Sequence, residues 1–91
     1  MIDRIVEVNG KVIVITQDLS LSHAGTVWDG ALTIVHFWNK HPQIAQQYLA
    51  NKRVLELGSG TGFTGIAAGA FNPTKVYLTD LNEYLPILKV N

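Results

Sequence analysis

Glycines at every second position of one short stretch give the sequence its clearest chemical signal. The stretch is "VLELGSGTGFTG", in which an apolar run is followed by Gly58, Gly60 and Gly62. A glycine loop between a strand and a helix lets a ligand lie against the backbone, because no Cβ stands in its way. In this interpretation Gly58 permits a sharp turn and Gly60 leaves room for the ligand. Gly62 and Gly65 let the following helix pack closely on the sheet.

Two carboxylates accompany the glycine loop. Glu56 precedes it, and Asp80 ends the next apolar run, 18 residues after Gly62. A carboxylate at that strand end can accept hydrogen bonds from the ribose hydroxyls of a nucleotide cofactor. Asp80 could instead be a solvated strand-end group or a helix cap. Glu56 lies within a strand, where a carboxylate needs a partner, and a loop amide would serve as well as a ligand.

The spacing of the glycines separates two classes of cofactor. Dinucleotide sites use G-x-G-x-x-G, whereas here the pattern is Gly58-x-Gly60-x-Gly62, with Phe63 in place of the third glycine. Together with Glu56 this pattern resembles E-x-G-x-G-x-G, the first motif of S-adenosylmethionine-dependent methyltransferases. The spacing therefore favours S-adenosylmethionine, and a nicotinamide dinucleotide remains a distant alternative.

The first half of the chain predicts a hairpin, a loop and two helices. Asn9-Gly10 between β-branched runs predicts strands at about 4–8 and 11–16, and residues 17–25 are expected to form a connecting loop. Thr26-x-x-Asp29 resembles a capping box and predicts a helix from Thr26 to about Lys40. The expected buried stripe of this helix is Trp28, Ala31, Leu32, Val35 and Trp38. A second helix, "PQIAQQYLA", should begin at Pro42 and bury Ile44, Ala45, Tyr48 and Leu49.

The second half predicts a βαβ unit around the glycine loop. Strands are expected at Val54–Leu57 and Lys75–Asp80, parallel to each other and joined by a right-handed crossover. The helix between them should end before Asn72-Pro73 and bury Phe63, Ile66, Ala67 and Ala70. A last helix should carry Pro86 in its first turn. Asp29 is interpreted as an acid at a helix start rather than a catalytic group.

Composition restricts the classes of function. With 91 residues, 47% of them apolar and 15% charged, the chain is expected to be one small globular domain. Lysine plus arginine equals aspartate plus glutamate at seven each, which gives no argument for nucleic acid or an anionic membrane. The chain has no cysteine, and we expect neither a signal peptide in "MIDRIVEV" nor a membrane-spanning run. We expect a soluble protein of the cytoplasm, with the nucleus as a second location.

Metal and covalent catalysis find no support in the sequence. His23, His36 and His41 lack metal-ligand spacing, so no metal is expected. Ser59 and the other serines lie outside any G-x-S-x-G pattern, so nucleophilic catalysis is unsupported.

A longer combination of motifs resembles a known family. "TVWDGALTIVHFW" ahead of "VLELGSGTGFTGIAA" and "VYLTDLNEYLPILKVN" is similar to the seven-strand methyltransferases that modify lysine side chains of intracellular proteins, the methyltransferase-like 21 group. The likeness covers about residues 5–91. It implies an α/β fold that is the N-terminal part of a Rossmann-like class I methyltransferase, with a hairpin and loop at 1–25, helices at 26–51 and a cofactor-binding βαβ unit at 52–91.

The resemblance also implies a cofactor site and a substrate class. S-adenosylmethionine would contact Gly58, Ser59 and Gly60 with its methionine part and Asp80 with its ribose. Trp28 would lie against it, although a core tryptophan is the competing interpretation. The acceptor would be a lysine of a protein substrate.

The resemblance implies only part of an enzyme. Members of the family continue with further strands that carry the adenine contacts, the methyl-proximal motif and the lysine pocket, so no catalytic residue is assigned here. We expect no methyl transfer from the 91-residue chain alone. The alternative is a non-catalytic truncated isoform or pseudo-enzyme that binds cofactor weakly or acts through protein contacts.

Overall fold

Four strands and four helices follow one another in a computed structural model that describes residues 1–91. In chain order the elements are β1 (Ile2–Val8), β2 (Lys11–Gln17), a 3₁₀ segment (Leu19–Gly25), α1 (Asp29–Lys40), α2 (Pro42–Leu49), β3 (Arg53–Glu56), α3 (Phe63–Ala68) with a 3₁₀ extension (Gly69–Phe71), β4 (Lys75–Leu78), a 3₁₀ turn (Asn82–Tyr84) and α4 (Leu85–Val90). The chain is therefore a small mixed α/β domain, as predicted.

The N-terminal hairpin is confirmed. Strands β1 and β2 are antiparallel, and Val8 pairs with Lys11 across the turn. Asn9 and Gly10 have φ of 51° and 77°, the left-handed geometry that a two-residue hairpin turn requires at both positions. Both strands extend slightly beyond the predicted bounds.

The parallel strand pair is confirmed as well. β3 and β4 run parallel in register from Arg53 opposite Lys75 to Glu56 opposite Leu78. They form a sheet separate from the hairpin, and α3 connects them. The predicted strands, Val54–Leu57 and Lys75–Asp80, therefore differ from the observed ones only at their ends.

The hydrophobic core lies between the hairpin and the helices. Its buried members are Val8, Ile15, Val27, Val35, Ala45, Phe63, Ala67, Ala70 and Phe71. Trp38 packs against this cluster and contacts Phe71 edge-on, with ring centroids 5.9 Å apart. The core thus holds α3, and with it the end of the glycine loop, against the hairpin.

Most of the segment expected to be a loop at 17–25 forms two short 3₁₀ turns within Leu19–Gly25, separated by a kink at Ser22, where φ is 54°. It begins at Asp18, whose carboxylate accepts hydrogen bonds from the Ser20 hydroxyl at 2.6 Å and the Ser20 amide at 3.0 Å. These two bonds lower the pKa of Asp18. Short polar side chains that bond the nearby backbone order such segments locally, which the prediction overlooked.

The predicted capping box is wrong. Helix α1 begins at Asp29 with Trp28 as its N-cap, and no side chain caps it. Thr26 is extended, and its hydroxyl donates to the Ser22 carbonyl at 2.9 Å. The Thr26 hydroxyl thus serves the preceding 3₁₀ segment instead of α1. The predicted end of α1 at Lys40 is confirmed.

The second and last helices follow the predictions with one exception. Pro42 and Pro86 both lie in the first turns of their helices, α2 and α4. Tyr48, predicted on the buried face of α2, is 70% exposed. The eight-residue helix buries only Ala45 fully, so its apolar contact is narrower than the sequence pattern suggested. None of the helices combines the length and apolarity needed to cross a membrane.

Candidate functional site

The glycine loop between β3 and α3 is tied to the end of β4. The Ser59 amide donates to the Thr79 carbonyl at 2.8 Å, and the Gly60 amide donates to Asp80 Oδ2 at 2.7 Å. Within the loop, the Gly62 amide donates to the Ser59 carbonyl at 2.7 Å. These bonds fix the position of the loop relative to the carboxyl ends of both strands, where α/β sheets bind their ligands.

Asp80 anchors the loop and remains available to a ligand. Its Oδ1 accepts from the Leu81 amide at 2.7 Å, while Oδ2 accepts from Gly60. An ionised carboxylate has about four acceptor positions, so each oxygen retains capacity for a further bond. Asp80 does not cap the following 3₁₀ turn, whose N-cap is Leu81 with no side-chain cap bond. Its bonds to Gly60 and Leu81 leave acceptor positions for a ligand.

A cleft of about 280 Å³ opens at this end of the sheet. The residues that line it are His23, Ala24, Thr26, Trp28, Gly58, Ser59, Gly60, Asp80 and Tyr84. All five residues that the sequence assigned to a cofactor site are among them. They come from three parts of the chain: the glycine loop, the end of β4 and the segment before α1.

Trp28 is a wall of this cleft and not a core residue. It is 53% exposed, whereas the preceding Val27 is buried in the core. Its indole Nε1 donates to the His23 carbonyl at 3.0 Å, and its ring lies 4.8 Å from the His23 ring. These two contacts with His23 hold the indole at the cleft, so the competing core interpretation is wrong.

Glycine is favoured at the different positions of the loop for different structural reasons. Gly58, Gly60 and Gly62 all have positive φ. A Cβ on Gly58 would meet no atom within 4 Å, whereas one on Gly60 would lie 2.9 Å from the Ala24 carbonyl oxygen. The structure thus gives a second reason for glycine at Gly60, which is that a side chain there would meet the chain's own 3₁₀ segment. The backbone open to a ligand is at Gly58, whose amide has no hydrogen-bond partner within the chain.

The predicted close packing of α3 is confirmed. A Cβ on Gly62 would approach Leu88 Cδ1 to 2.7 Å, and one on Gly65 would overlap the Leu78 side chain. Glycine at both positions lets α3 lie directly on β4 and against α4.

Glu56 has a structural partner. Its Oε1 accepts from the Gly65 amide at 3.2 Å, near the start of α3. Burial raises the pKa of the Glu56 carboxyl, and hydrogen bonds, including the one from Gly65, oppose that shift. Glu56 also borders a small pocket of about 70 Å³ that shares Trp28, Gly58 and Ser59 with the cleft. Of the two roles left open by the sequence, the bond to an amide is the observed one.

Four cleft residues were missed by the sequence interpretation: His23, Ala24, Thr26 and Tyr84. Three of them were missed because residues 17–26 were taken as a loop and a helix start. The Asp18-x-Ser20 pattern was the available signal, because it favours an ordered turn directly before Trp28. Asp29 is the exposed first residue of α1, consistent with an acid at a helix start. His, Asp and Glu side chains form no group of three able to hold a metal ion.

Comparison with known proteins places these features in a family. The family profile described as lysine methyltransferase matches residues 7–91. The chain is 48% identical over 46 residues to protein-lysine N-methyltransferase EFM6 of Saccharomyces cerevisiae, covering 44% of the chain and 19% of that protein. It is 39% identical over 66 residues to protein-lysine methyltransferase METTL21E of Mus musculus, covering 71% and 25%.

A third relative extends the match over more of the chain. Protein N-lysine methyltransferase METTL21A of Danio rerio is 37% identical over 71 residues, covering 78% of the chain and 30% of that protein. The chain thus spans less than a third of each of these relatives. Because the family profile covers nearly all of its residues, the chain belongs to the lysine methyltransferase family.

Proposed function

We propose that this chain forms the cofactor-binding part of an S-adenosylmethionine-dependent, protein-lysine methyltransferase of Rossmann-like class I fold, acting in the cytoplasm. The observation that carries the proposal is the meeting of the glycine loop, Asp80 and Trp28 around one cleft. Family membership supplies the reaction class. The names of the relatives, which are protein-lysine methyltransferases, support a protein lysine as acceptor.

The residues present fit the cofactor. S-adenosylmethionine carries a carboxylate that needs donors, an ammonium and ribose hydroxyls that need acceptors, and apolar groups. The cleft offers the unpartnered amide of Gly58, the spare acceptor capacity of Asp80 and the indole face of Trp28. Its volume of about 280 Å³ is near the lower limit of about 300 Å³ for small-molecule sites. The chain therefore provides the donors and acceptors, but only part of an enclosure.

The chemistry of the bound cofactor is a methyl group on a sulfonium, which transfers directly to a nitrogen. The chain's own contribution is orientation and exclusion of water. Asp80 would accept hydrogen bonds from the ribose hydroxyls while it also accepts one from the Gly60 amide. The same carboxylate would therefore hold both the cofactor and the loop. Gly58 would donate to the methionine carboxylate, and Trp28 would shield the cleft. Holding donor and acceptor in line supplies most of what such a reaction needs.

A second candidate is a non-catalytic cofactor-binding or protein-contact role. Two observations favour it. The two carboxylates nearest the glycine loop already accept hydrogen bonds from backbone amides, Asp80 from Gly60 and Glu56 from Gly65, so neither is assigned to deprotonate a lysine. One face of the β3–β4 sheet also exposes Leu55 and Tyr77. Methyl transfer separates this candidate from the first.

Titration calorimetry of the chain with S-adenosylmethionine and with a nicotinamide dinucleotide tests the proposed cofactor. We expect S-adenosylmethionine to bind more tightly. Asp80→Ala should weaken its binding by about 1–3 kcal/mol, because charge-assisted hydrogen bonds to ribose are lost. Asp29→Ala, outside the cleft, is the matched control and should bind like the unchanged chain. Tighter dinucleotide binding, or an Asp80→Ala variant with full affinity, would contradict the proposal.

Methyl transfer is best tested in the context of a relative. Residues 7–91 would replace the corresponding segment of the zebrafish relative, and labelled methyl incorporation into protein lysines would be measured. We expect the chimera to transfer methyl groups and Asp80→Ala within it to lose most activity. The 91-residue chain assayed alone should show no incorporation above a Gly60→Val control. A folded, cofactor-binding chimera without transfer would favour the non-catalytic candidate.

A further inference from the structure

Both outer edges of the hairpin are bonded by asparagine side chains. On the β1 side, Asn39 Nδ2 donates to the Glu7 carbonyl at 2.7 Å, and its Oδ1 accepts from the Asn9 amide at 3.0 Å. On the β2 side, Asn91 Oδ1 accepts from the Thr16 amide at 2.7 Å, and its Nδ2 donates to the Thr16 carbonyl at 2.9 Å. Each carboxamide thus pairs with a strand edge as a neighbouring peptide group would.

Only one of the two asparagines also reaches the glycine loop. Asn91 Nδ2 donates to the Thr61 carbonyl at 3.0 Å, with a longer contact of 3.4 Å to Ile87. Thr61 is 3% exposed, and Asn91 provides the only hydrogen bond that its carbonyl accepts. Asn39 makes no hydrogen bond to the loop. The two side chains therefore share one role at the hairpin and differ in a second.

We propose that Asn91 is a positioning residue for the cofactor loop, an inference that rests on the proposed function. The loop is anchored at its start by Thr79 and Asp80, through the amides of Ser59 and Gly60. Asn91 anchors its end, between Gly60 and Gly62, and couples it to β2. The loop geometry is then fixed from the sheet on one side and from the hairpin on the other.

Loss of the bond from Asn91 to Thr61 would destabilise the glycine loop. A buried carbonyl left without a donor carries the full cost of having lost its contact with water. Thr61 can recover a partner by turning its carbonyl toward water, and because that carbonyl and the Gly62 amide belong to one peptide group, the Gly62 amide would then turn away from the Ser59 carbonyl. Ser59 lines the proposed cofactor cleft, so cofactor affinity should respond to Asn91, a residue that does not line the cleft.

The test compares Asn91→Ala with Asn39→Ala. Both variants remove an edge pairing of the hairpin, but only the first removes the bond to Thr61. We expect Asn91→Ala to weaken S-adenosylmethionine binding by about 5-fold or more, within the range of remote positioning effects, and Asn39→Ala to stay within about 2-fold. Asn91→Asp, which can still accept from Thr16 but cannot donate to Thr61, should weaken binding as Asn91→Ala does.

A second readout does not depend on the cofactor. Amide hydrogen exchange of Gly60 and Gly62 in the cofactor-free chain should accelerate in Asn91→Ala and Asn91→Asp, beyond any change in Asn39→Ala once global stability is matched. If the unchanged chain fails to bind S-adenosylmethionine, the proposed function is wrong, and the exchange comparison still decides the role of Asn91. Equal exchange at Gly60 and Gly62 in the Asn91 and Asn39 variants would show that Asn91 only holds the hairpin.

Discussion

The two faces of the β3–β4 sheet are packed very differently. On one face, Gly65 of α3 lies so close that an added Cβ would overlap Leu78, and Glu56 bonds the Gly65 amide. On the other face, Leu55 is 62% exposed and its cross-strand neighbour Tyr77 is 42% exposed. No helix of the chain covers this second face. We call the two the closed face and the open face.

The closed face contains the contacts that position the candidate site, whereas the open face contributes none of them. Parallel sheets are normally covered on both faces, and here only the closed face is covered. The glycine loop, Asp80 and the start of α3 all depend on the closed face, so site geometry should be sensitive to changes there. Changes on the open face should leave the site intact, which makes the comparison testable.

Gly65→Val on the closed face is expected to cause the largest loss of stability. The added side chain would overlap Leu78 and crowd Glu56, and such overpacking costs about 1–3 kcal/mol or more. Denaturant unfolding of the chain would measure the loss.

Gly69→Ala provides the control within the same helical segment. A Cβ there meets no atom within 4 Å, and the backbone is right-handed helical with φ −58°. The substitution should stabilise the chain by about 0.4–1 kcal/mol through the unfolded state. If Gly65→Val were tolerated as well as Gly69→Ala, the close packing of the closed face would be wrong.

Glu56→Gln on the closed face is expected to change the free energy of unfolding by a smaller amount, and this change should depend on pH. Because burial raises the pKa of Glu56 in the folded chain, the folded state binds a proton more tightly than the unfolded state. Stability from this group is therefore present at low pH and falls as pH rises from about 4.5, the ordinary glutamate value, through the raised pKa. The Glu56→Gln variant does not lose stability in this way. Its free energy of unfolding should therefore rise relative to that of the unchanged chain as the pH approaches neutrality. A relative stability that does not change with pH would contradict the buried, bonded position of Glu56.

The smallest effect is expected on the open face from Leu55→Ser. Leu55 is mostly exposed, and exposed positions usually change stability by no more than about 0.5 kcal/mol. The free energy of unfolding and the affinity for S-adenosylmethionine should both remain nearly unchanged. A loss comparable to that of Gly65→Val would show that the open face is covered in solution, and sedimentation at several concentrations would then reveal the association.

Local signals account for what the sequence could predict. Asn9-Gly10 fixes the hairpin because its two-residue turn needs left-handed backbone at both positions, and the glycine spacing marks the loop through steric requirements of neighbouring residues. Two features that depend on single tertiary contacts, the placement of Trp28 and the bonds of Asn91, were mispredicted or missed. Trp28 matches the apolar stripe of α1 by spacing, yet it lies at the N-cap, beside His23 and outside the core. The link from Asn91 to Thr61 joins residues 30 positions apart, and no periodic pattern encodes it.

The hairpin turn has a chemical consequence of its own. An asparagine followed by glycine is prone to deamidation, because the unhindered glycine nitrogen can attack the side-chain carbonyl. In this chain Asn9 Nδ2 donates to the Ala70 carbonyl at 2.9 Å, which ties the turn to the 3₁₀ extension of α3. A carboxylate at that position is only an acceptor, so deamidation would replace the bond with repulsion between two oxygens. Deamidation of Asn9 would therefore release the hairpin tip from the helical segment that follows the glycine loop.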